Sequence, residues 1–177
     1  MNREDNLRRR IKLLTWLFIV GLVVSGATAI PLEGELNVLV QLTGARQLVE
    51  TPASTTPPGW ALWLVKVQTA LQETGTKYPF MSYGTDWLAF GHFVIAVAFI
   101  GVLRDPVRNV WLFTFGMIAC VLVIPYALMF GALRGIPIYW RLIDCSFGVF
   151  GVIPLWFCRK WVRELEIQAA GKVSPTD

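Results

Sequence analysis

The stretch that decides the fold is VWLFTFGMIACVLVIPYALMFGAL, residues 110–133. It contains no aspartate, glutamate, lysine, arginine or histidine. A helix of about 20 apolar residues is long enough to cross the hydrocarbon core of a bilayer. This stretch therefore predicts a transmembrane helix.

Three further stretches, at residues 11–30, 86–103 and 138–157, are also long and predominantly apolar, although they contain a few ionisable residues. Hydrophobic residues make up 55% and charged residues 16% of the chain, whereas a soluble domain carries about 25% charged residues. We therefore predict an all-α integral membrane protein, a four-transmembrane-helix bundle forming a single membrane domain over 1–177. The last three spans are joined by short connections and should be antiparallel neighbours.

The distribution of lysine and arginine orients these spans. Eleven basic residues lie in the two terminal segments and in the connection between the second and third spans, against five on the other side. The positive-inside rule therefore predicts that both termini, including the tail 158–177, are cytoplasmic. We expect the protein to reside in the cell (inner) membrane. The eleven are Arg3, Arg8, Arg9, Arg10, Lys12, Arg104, Arg108, Arg159, Lys160, Arg163 and Lys172.

The first span has an alternative interpretation as a signal peptide. Residues 8–12 are basic, and Ala27-Thr28-Ala29 resembles a small-x-small cleavage site. The apolar stretch is long for a signal peptide, so we favour an uncleaved helix.

The largest predicted connection is an outer loop at residues 31–85. Residues 32–49 fit either a short helix or a strand, and residues 60–73 show helical spacing of apolar side chains. We expect the latter to form an amphipathic helix on the outer membrane surface or against the outer mouth of the bundle. Its apolar positions are Trp60, Trp63, Leu64, Val67 and Leu71. Its polar positions are Lys66, Gln68, Gln72 and Glu73.

Small residues at helical spacing mark the predicted packing faces of three spans. Helices in lipid associate through close van der Waals contact, which small side chains permit. The pattern therefore favours a tight bundle over a wide pore. The residues are Gly21, Ser25 and Thr28 on the first span, Gly116, Cys120, Ala127 and Gly131 on the third, and Cys145, Gly148 and Gly151 on the fourth.

Ionisable residues inside apolar spans are costly and are candidates for function. The single histidine, His92, lies in the second span, and Arg141 and Asp144 share one face of the fourth. We hypothesise that they line an outward-facing polar cavity in which Arg141 binds an anionic group and His92 pairs with Asp144. The predicted ligand-binding residues are His92, Arg141, Asp144, Asp86, Trp140 and Tyr126.

Each of these residues also has a purely structural interpretation. Arg141 and Asp144 would form an intrahelical ion pair, and His92 would bond to a backbone carbonyl or to Asp144 and so hold two helices together. Asp86 would cap the second span, because carboxylates suit helix N-termini. Pro125 would be an ordinary transmembrane proline.

The sequence lacks the motifs of several common catalytic and cofactor-binding sites. One histidine cannot provide bis-histidine haem ligation, and no cluster of zinc ligands, Gly-x-Ser-x-Gly, P-loop or His-Glu-x-x-His occurs. We therefore predict no metal and no cofactor. The basic residues flank apolar segments, so no nucleic-acid partner is expected.

Three functions are compatible with these observations. We favour a non-catalytic accessory subunit or a self-associating bundle, with membrane lipids and a homo-oligomer or larger membrane complex as partners. The alternative is a binder or enzyme for a lipid, quinone or isoprenoid at the polar site. The third is a proton or ion pathway in an oligomer.

Overall fold

A computed structural model describes residues 3–51 and 56–173, and the regular structure of these residues is entirely helical. The prediction of an all-α chain is therefore confirmed, and residues 32–49 form helices rather than a strand. A 3₁₀ turn, Pro79–Ser82, follows the fourth helix. The helices are α1 (Arg3–Ala29), α2 (Leu32–Thr43), α3 (Ala45–Glu50), α4 (Gly59–Lys77), α5 (Tyr83–Arg104), α6 (Val110–Leu133) and α7 (Ile138–Val173).

Four helical stretches are long and apolar enough to cross a membrane, judged by length and composition. They are Arg3–Ala29, Pro79–Arg104, Val110–Leu133 and Ile138–Ala170. The predicted number of candidate spans is therefore confirmed. The described residues group into two compact units, one of Leu22–Val94 and one of the residues up to Gly21 together with those from Ile95 onward.

The helices α1 and α7 both extend beyond their apolar stretches. α7 has 36 residues and is about 54 Å long at 1.5 Å per residue. The segment predicted as a tail therefore continues α7 as far as Val173. Its buried positions, Cys158, Val162 and Leu165, recur at helical spacing and pack in the same unit as Leu7 and Ile11 of α1.

The connections that end α5 and α6 are tight turns. The Asp105 carboxylate accepts hydrogen bonds from the backbone N–H groups of Val107 at 3.1 Å and Arg108 at 3.0 Å. Gly135 adopts a φ of 69° after α6, a left-handed conformation that favours glycine. The predicted short connections are confirmed, and the second one folds α7 back along α6.

The α6–α7 hairpin packs through small residues. A Cβ atom added at Gly148 would overlap the backbone carbonyl oxygen of Cys120, and one at Gly151 would lie 2.8 Å from Cys120 Sγ. A Cβ at Gly116 would lie 2.8 Å from Leu155 Cδ1. These glycines permit the two helices to approach to backbone contact, as the sequence predicted for this pair.

The small-residue prediction was less accurate for the first span. Among the described residues, nothing lies within 4 Å of a Cβ built at Gly21. The glycine that makes a close contact is Gly26, where a Cβ would lie 2.8 Å from the Phe93 ring and 3.0 Å from the Ala89 carbonyl oxygen. Ser25 is exposed and Gly26 is buried, so the packing face of this part of α1 is rotated from the predicted one by one residue, about 100° around the helix.

Helices α2, α3 and α4 form a small packed assembly, here called the loop unit. Gly44 connects α2 to α3 and has a φ of 64°. The apolar core of the loop unit is small. The core includes Leu36, Val40, Ala45, Ala61 and Leu64.

A hydrogen-bond network completes the core of the loop unit. Gln68 is only 6% exposed, so its assignment to the polar face of the predicted amphipathic helix was wrong. Its amide Nε2 donates to Asn37 Oδ1 at 2.8 Å, and its Oε1 accepts from Arg46 Nη2 at 2.7 Å. Gln72 donates to the same Asn37 oxygen at 3.2 Å, and Arg46 Nη1 donates to Glu50 Oε1 at 2.9 Å. One buried amide therefore connects all three helices.

Candidate functional site

Arg141 is the most tightly held of the predicted site residues. Its Nη1 donates to the Leu128 carbonyl oxygen of α6 at 3.2 Å. Its aliphatic stem lies so close to Gly131 that a Cβ there would overlap it. Gly131 therefore lets the arginine fold across α6, which stabilises the hairpin near its turn.

One hydrogen-bond donor of Arg141 is unpaired within the described residues. The buried Nε atom has no hydrogen-bond partner among the described residues. Leaving a buried donor unpaired costs about 1–3 kcal/mol, and more for a charged group. The arginine is thus only partly satisfied within the described part of the chain.

Asp144 lies three residues after Arg141 and is half-buried. At about 100° per residue it shares a side of α7 with Gly148 and Gly151, which contact α6. In residues 3–51 and 56–173, Asp144 forms no ion pair or hydrogen bond, and the expected intrahelical pair with Arg141 does not form. Two oppositely charged groups therefore stand one turn apart with unused hydrogen-bonding capacity.

Other polar atoms of the hairpin lie on the same stretch of the two helices. Cys145 Sγ lies 3.8 Å from the Ile124 carbonyl oxygen and donates to it. Pro125 within α6 has no N–H, so the Val121 carbonyl lacks its usual helical donor. Together, Arg141, Asp144 and Cys145 on α7 and the carbonyl groups of Val121, Ile124 and Leu128 on α6 are here called the polar seam.

His92 bonds within its own helix. Its Nδ1 lies 2.8 Å from the Leu88 carbonyl oxygen, so this backbone hydrogen bond forms within α5, whereas the structural interpretation expected a bond that joins two helices. A Cβ at Gly26 would lie 3.1 Å from His92 Cβ, so the histidine also contributes to close packing. The convergence of His92 with Arg141 and Asp144 stays a prediction.

Asp86 is not a helix cap, because α5 begins at Tyr83. It lies in the first turn, where a carboxylate still interacts favourably with the helix dipole. Asp86 lines a shallow recess of about 230 Å³ with Tyr83, Trp87 and Phe90. The rings pack edge to face, with centroids 5.9 Å apart for Tyr83–Trp87 and 5.4 Å for Trp87–Phe90.

The last two predicted residues lie in the hairpin helices. Trp140 is half-buried on α7. Tyr126 on α6 is 64% exposed, and its ring centroid lies 4.4 Å from that of Phe130. Exposed aromatic side chains of this kind suit a lipid or protein contact.

Besides the recess on α5, the structure contains a polar cleft that was not predicted from the sequence. It lies between the ends of α1 and α7 and has a volume of about 260 Å³. Two features of the sequence could have indicated this cleft. Basic residues lie just before the first apolar stretch, and Trp161 lies just after the last. The cleft is lined by Arg3, Asn6, Leu7, Arg10, Trp161 and Glu164.

Within the described residues, no group of three or more histidine, cysteine, aspartate or glutamate side chains is placed to hold a metal ion. No family model, curated protein or solved structure matches the chain. The functional assignment therefore rests on the chemistry of the polar seam, the recess and the cleft.

Proposed function

We propose that this protein is a non-catalytic accessory subunit that crosses the membrane four times and assembles through its polar seam with another integral membrane protein or with further copies of itself. The observation that carries this proposal is Asp144, which lies in an apolar helix and has no hydrogen-bond or ion-pair partner within the described part of the chain. A carboxylate at the centre of a membrane helix costs about 2.5–3.5 kcal/mol on insertion scales. A hydrogen-bond donor from a neighbouring chain would offset that cost.

The surroundings of Asp144 suit a helix-to-helix contact. Ile143 is 49% exposed and Phe147 is 70% exposed, so apolar surface is available beside the carboxylate. Side-chain hydrogen bonds between helices stabilise association in lipid by roughly 0.6–2 kcal/mol each. A partner helix bearing a donor would satisfy Asp144 and also cover this apolar surface.

The proposed topology places both termini in the cytoplasm and the loop unit on the opposite side of the inner membrane. The bias of lysine and arginine toward the terminal segments supports this orientation. On the loop unit, Val38, Leu42 and Leu48 are exposed, and such side chains suit the headgroup boundary. We propose that the loop unit rests on the outer leaflet.

The test is co-purification of the full chain from its own membrane in mild detergent, followed by native mass spectrometry. We expect a stoichiometric protein partner or a homo-oligomer with the wild type. Asp144→Leu should abolish this association, whereas Asp144→Asn, which still forms hydrogen bonds, should retain part of it.

Phe150→Leu provides the matched control, because Phe150 is 71% exposed on α7 and lies about 120° around the helix from Asp144, away from the proposed contact. A wild-type protein that purifies as a monomer would contradict the proposal. So would equal association of the wild type and Asp144→Leu. An equal loss in His92→Ala would instead favour a donor within the chain.

A second candidate function is lipid binding at the recess on α5. The observation that favours it is the juxtaposition of the Asp86 carboxylate with the Tyr83, Trp87 and Phe90 rings. Aromatic faces and a carboxylate together attract an organic cation such as a choline headgroup. Quenching of tryptophan fluorescence by a brominated phosphocholine lipid, reduced in Asp86→Asn while protein association persists, would support this function over the first.

A further inference from the structure

We infer that the cleft between the polar ends of α1 and α7 binds the headgroup of an anionic phospholipid. This lipid site is distinct from the proposed assembly role, and it depends on the proposed function only in that the protein lies in a membrane. Arg10 immediately precedes the apolar stretch of α1, and Trp161 follows that of α7. In a membrane both residues would lie at headgroup level, where tryptophan is enriched.

The Arg10 guanidinium is free to bind an anion. Its Cζ lies 5.9 Å from the centroid of the Trp161 ring, and it forms no ion pair with any residue in the described part of the chain. Stacking on an aromatic ring leaves the N–H groups at the edge of the guanidinium available as donors. These groups have the fork geometry that suits a phosphate bidentately.

The acidic residue of the cleft is already neutralised. Glu164 Oε2 lies 3.4 Å from Arg3 Nη2, so Arg10 provides the net positive charge. Other basic residues lie close to the cleft residues in the sequence, and Lys160 Nζ lies 5.6 Å from the centroid of the Trp156 ring. The neighbouring basic residues are Arg9, Lys12, Arg159 and Arg163.

This charge balance selects among lipids. Juxtamembrane basic clusters attract anionic lipids, and the attraction falls off within a Debye length. A zwitterionic headgroup carries its own compensating cation, so it gains less from Arg10. The expected occupant is therefore a lipid of net negative charge, such as phosphatidylglycerol, in the leaflet next to the two termini.

The experiment is a native mass spectrometry titration of the purified full chain with phosphatidylglycerol and, separately, phosphatidylcholine. We expect the wild type to bind phosphatidylglycerol more tightly. Arg10→Gln should weaken phosphatidylglycerol binding about fivefold, the effect of one basic side chain at a membrane surface, and leave phosphatidylcholine unchanged. Arg10→Lys, which keeps the charge but loses the fork, should fall between the two.

Arg163→Gln is the matched control, because Arg163 is exposed near the same helix ends but does not line the cleft. Equal binding of the two lipids, or an equal loss in Arg163→Gln and Arg10→Gln, would overturn the inference. Displacement of the lipid by inorganic phosphate alone would also overturn it in favour of a soluble anion. Because Asp144 does not enter this titration, the inference and the assembly proposal can fail separately.

Discussion

The α6–α7 hairpin and the loop unit are both helical, but different forces hold them together. In the hairpin, glycines bring the backbones together, and Gly148 lies against the main chain of α6. In the loop unit, a buried amide on α4 bonds to Asn37 and Arg46. In lipid the hydrophobic effect contributes little to helix association, so helices associate mainly through close van der Waals packing. The loop unit buries few apolar residues, so its polar groups must be satisfied internally.

The largest effect should come from filling the closest contact of the hairpin. In Gly148→Leu the new side chain meets a backbone carbonyl of α6, which cannot rotate away as a side chain would. Overpacking costs about 1–3 kcal/mol and occasionally more. We expect a cost of about 3 kcal/mol or more here, measured as a large fall in the thermal unfolding midpoint in detergent.

Gly21→Ala tests whether this effect is specific to the contact. A Cβ at Gly21 has open space around it in the described residues, and alanine is favoured over glycine in helices. The midpoint should stay unchanged or rise. Equal destabilisation by the two substitutions would show that the contact at Cys120 does not control the stability of the hairpin.

The second largest effect should come from the amide of the loop unit. Gln68→Leu keeps the size of the side chain but removes the donor to Asn37 and the acceptor for Arg46. Leaving buried partners unpaired costs about 1–3 kcal/mol. We expect faster hydrogen–deuterium exchange across α2, α3 and α4, with exchange in α6 and α7 unchanged.

Gln41→Leu is the control for this substitution, because Gln41 is exposed on α2 and gains the same apolar side chain. Its exchange should match that of the wild type. Acceleration of exchange in both variants would indicate that the loop unit responds to any added leucine, and the network around Gln68 would lose its assigned role.

The sequence predicted the hairpin well because its contacts follow a local rule. Gly116, Gly131, Gly148 and Gly151 recur at helical spacing, and small residues in apolar helices pack closely. The contact partner of each glycine was not predictable, because it depends on the register between two helices. The Arg141 stem therefore emerged as the neighbour of Gly131 only from the structure.

The loop unit was predicted less well because its decisive contacts are non-local. We predicted an apolar face of α4 made of Trp60, Trp63, Leu64, Val67 and Leu71. Of these only Leu64 is buried, and it shares the buried face with Ala61 and Gln68. Gln68 is buried because its partners lie 22 and 31 residues away in the chain, and hydrophobic periodicity carries no information about such partners.

The extension of α7 shows a signal that was present but not used. Cys158, Val162 and Leu165 have the spacing of a helix face. We assigned them to a tail because the apolar stretch ended at residue 157. An apolar stretch ends where a helix leaves the lipid, but the helix itself can continue into water.

The smallest effect should come from the exposed rim of the loop unit. Glu50→Gln removes the charge that pairs with Arg46 Nη1 at 2.9 Å, while the bond from Arg46 to Gln68 persists. Exposed i,i+4 pairs contribute about 0.3–0.5 kcal/mol and are screened by salt. The variant should therefore show slightly faster amide exchange in α3 at low salt and no difference from the wild type at high salt. If Glu50→Gln instead accelerated exchange as strongly as Gln68→Leu at both salt concentrations, Glu50 would be the group that orients Arg46. The polar network would then depend on its exposed edge rather than on its buried amide.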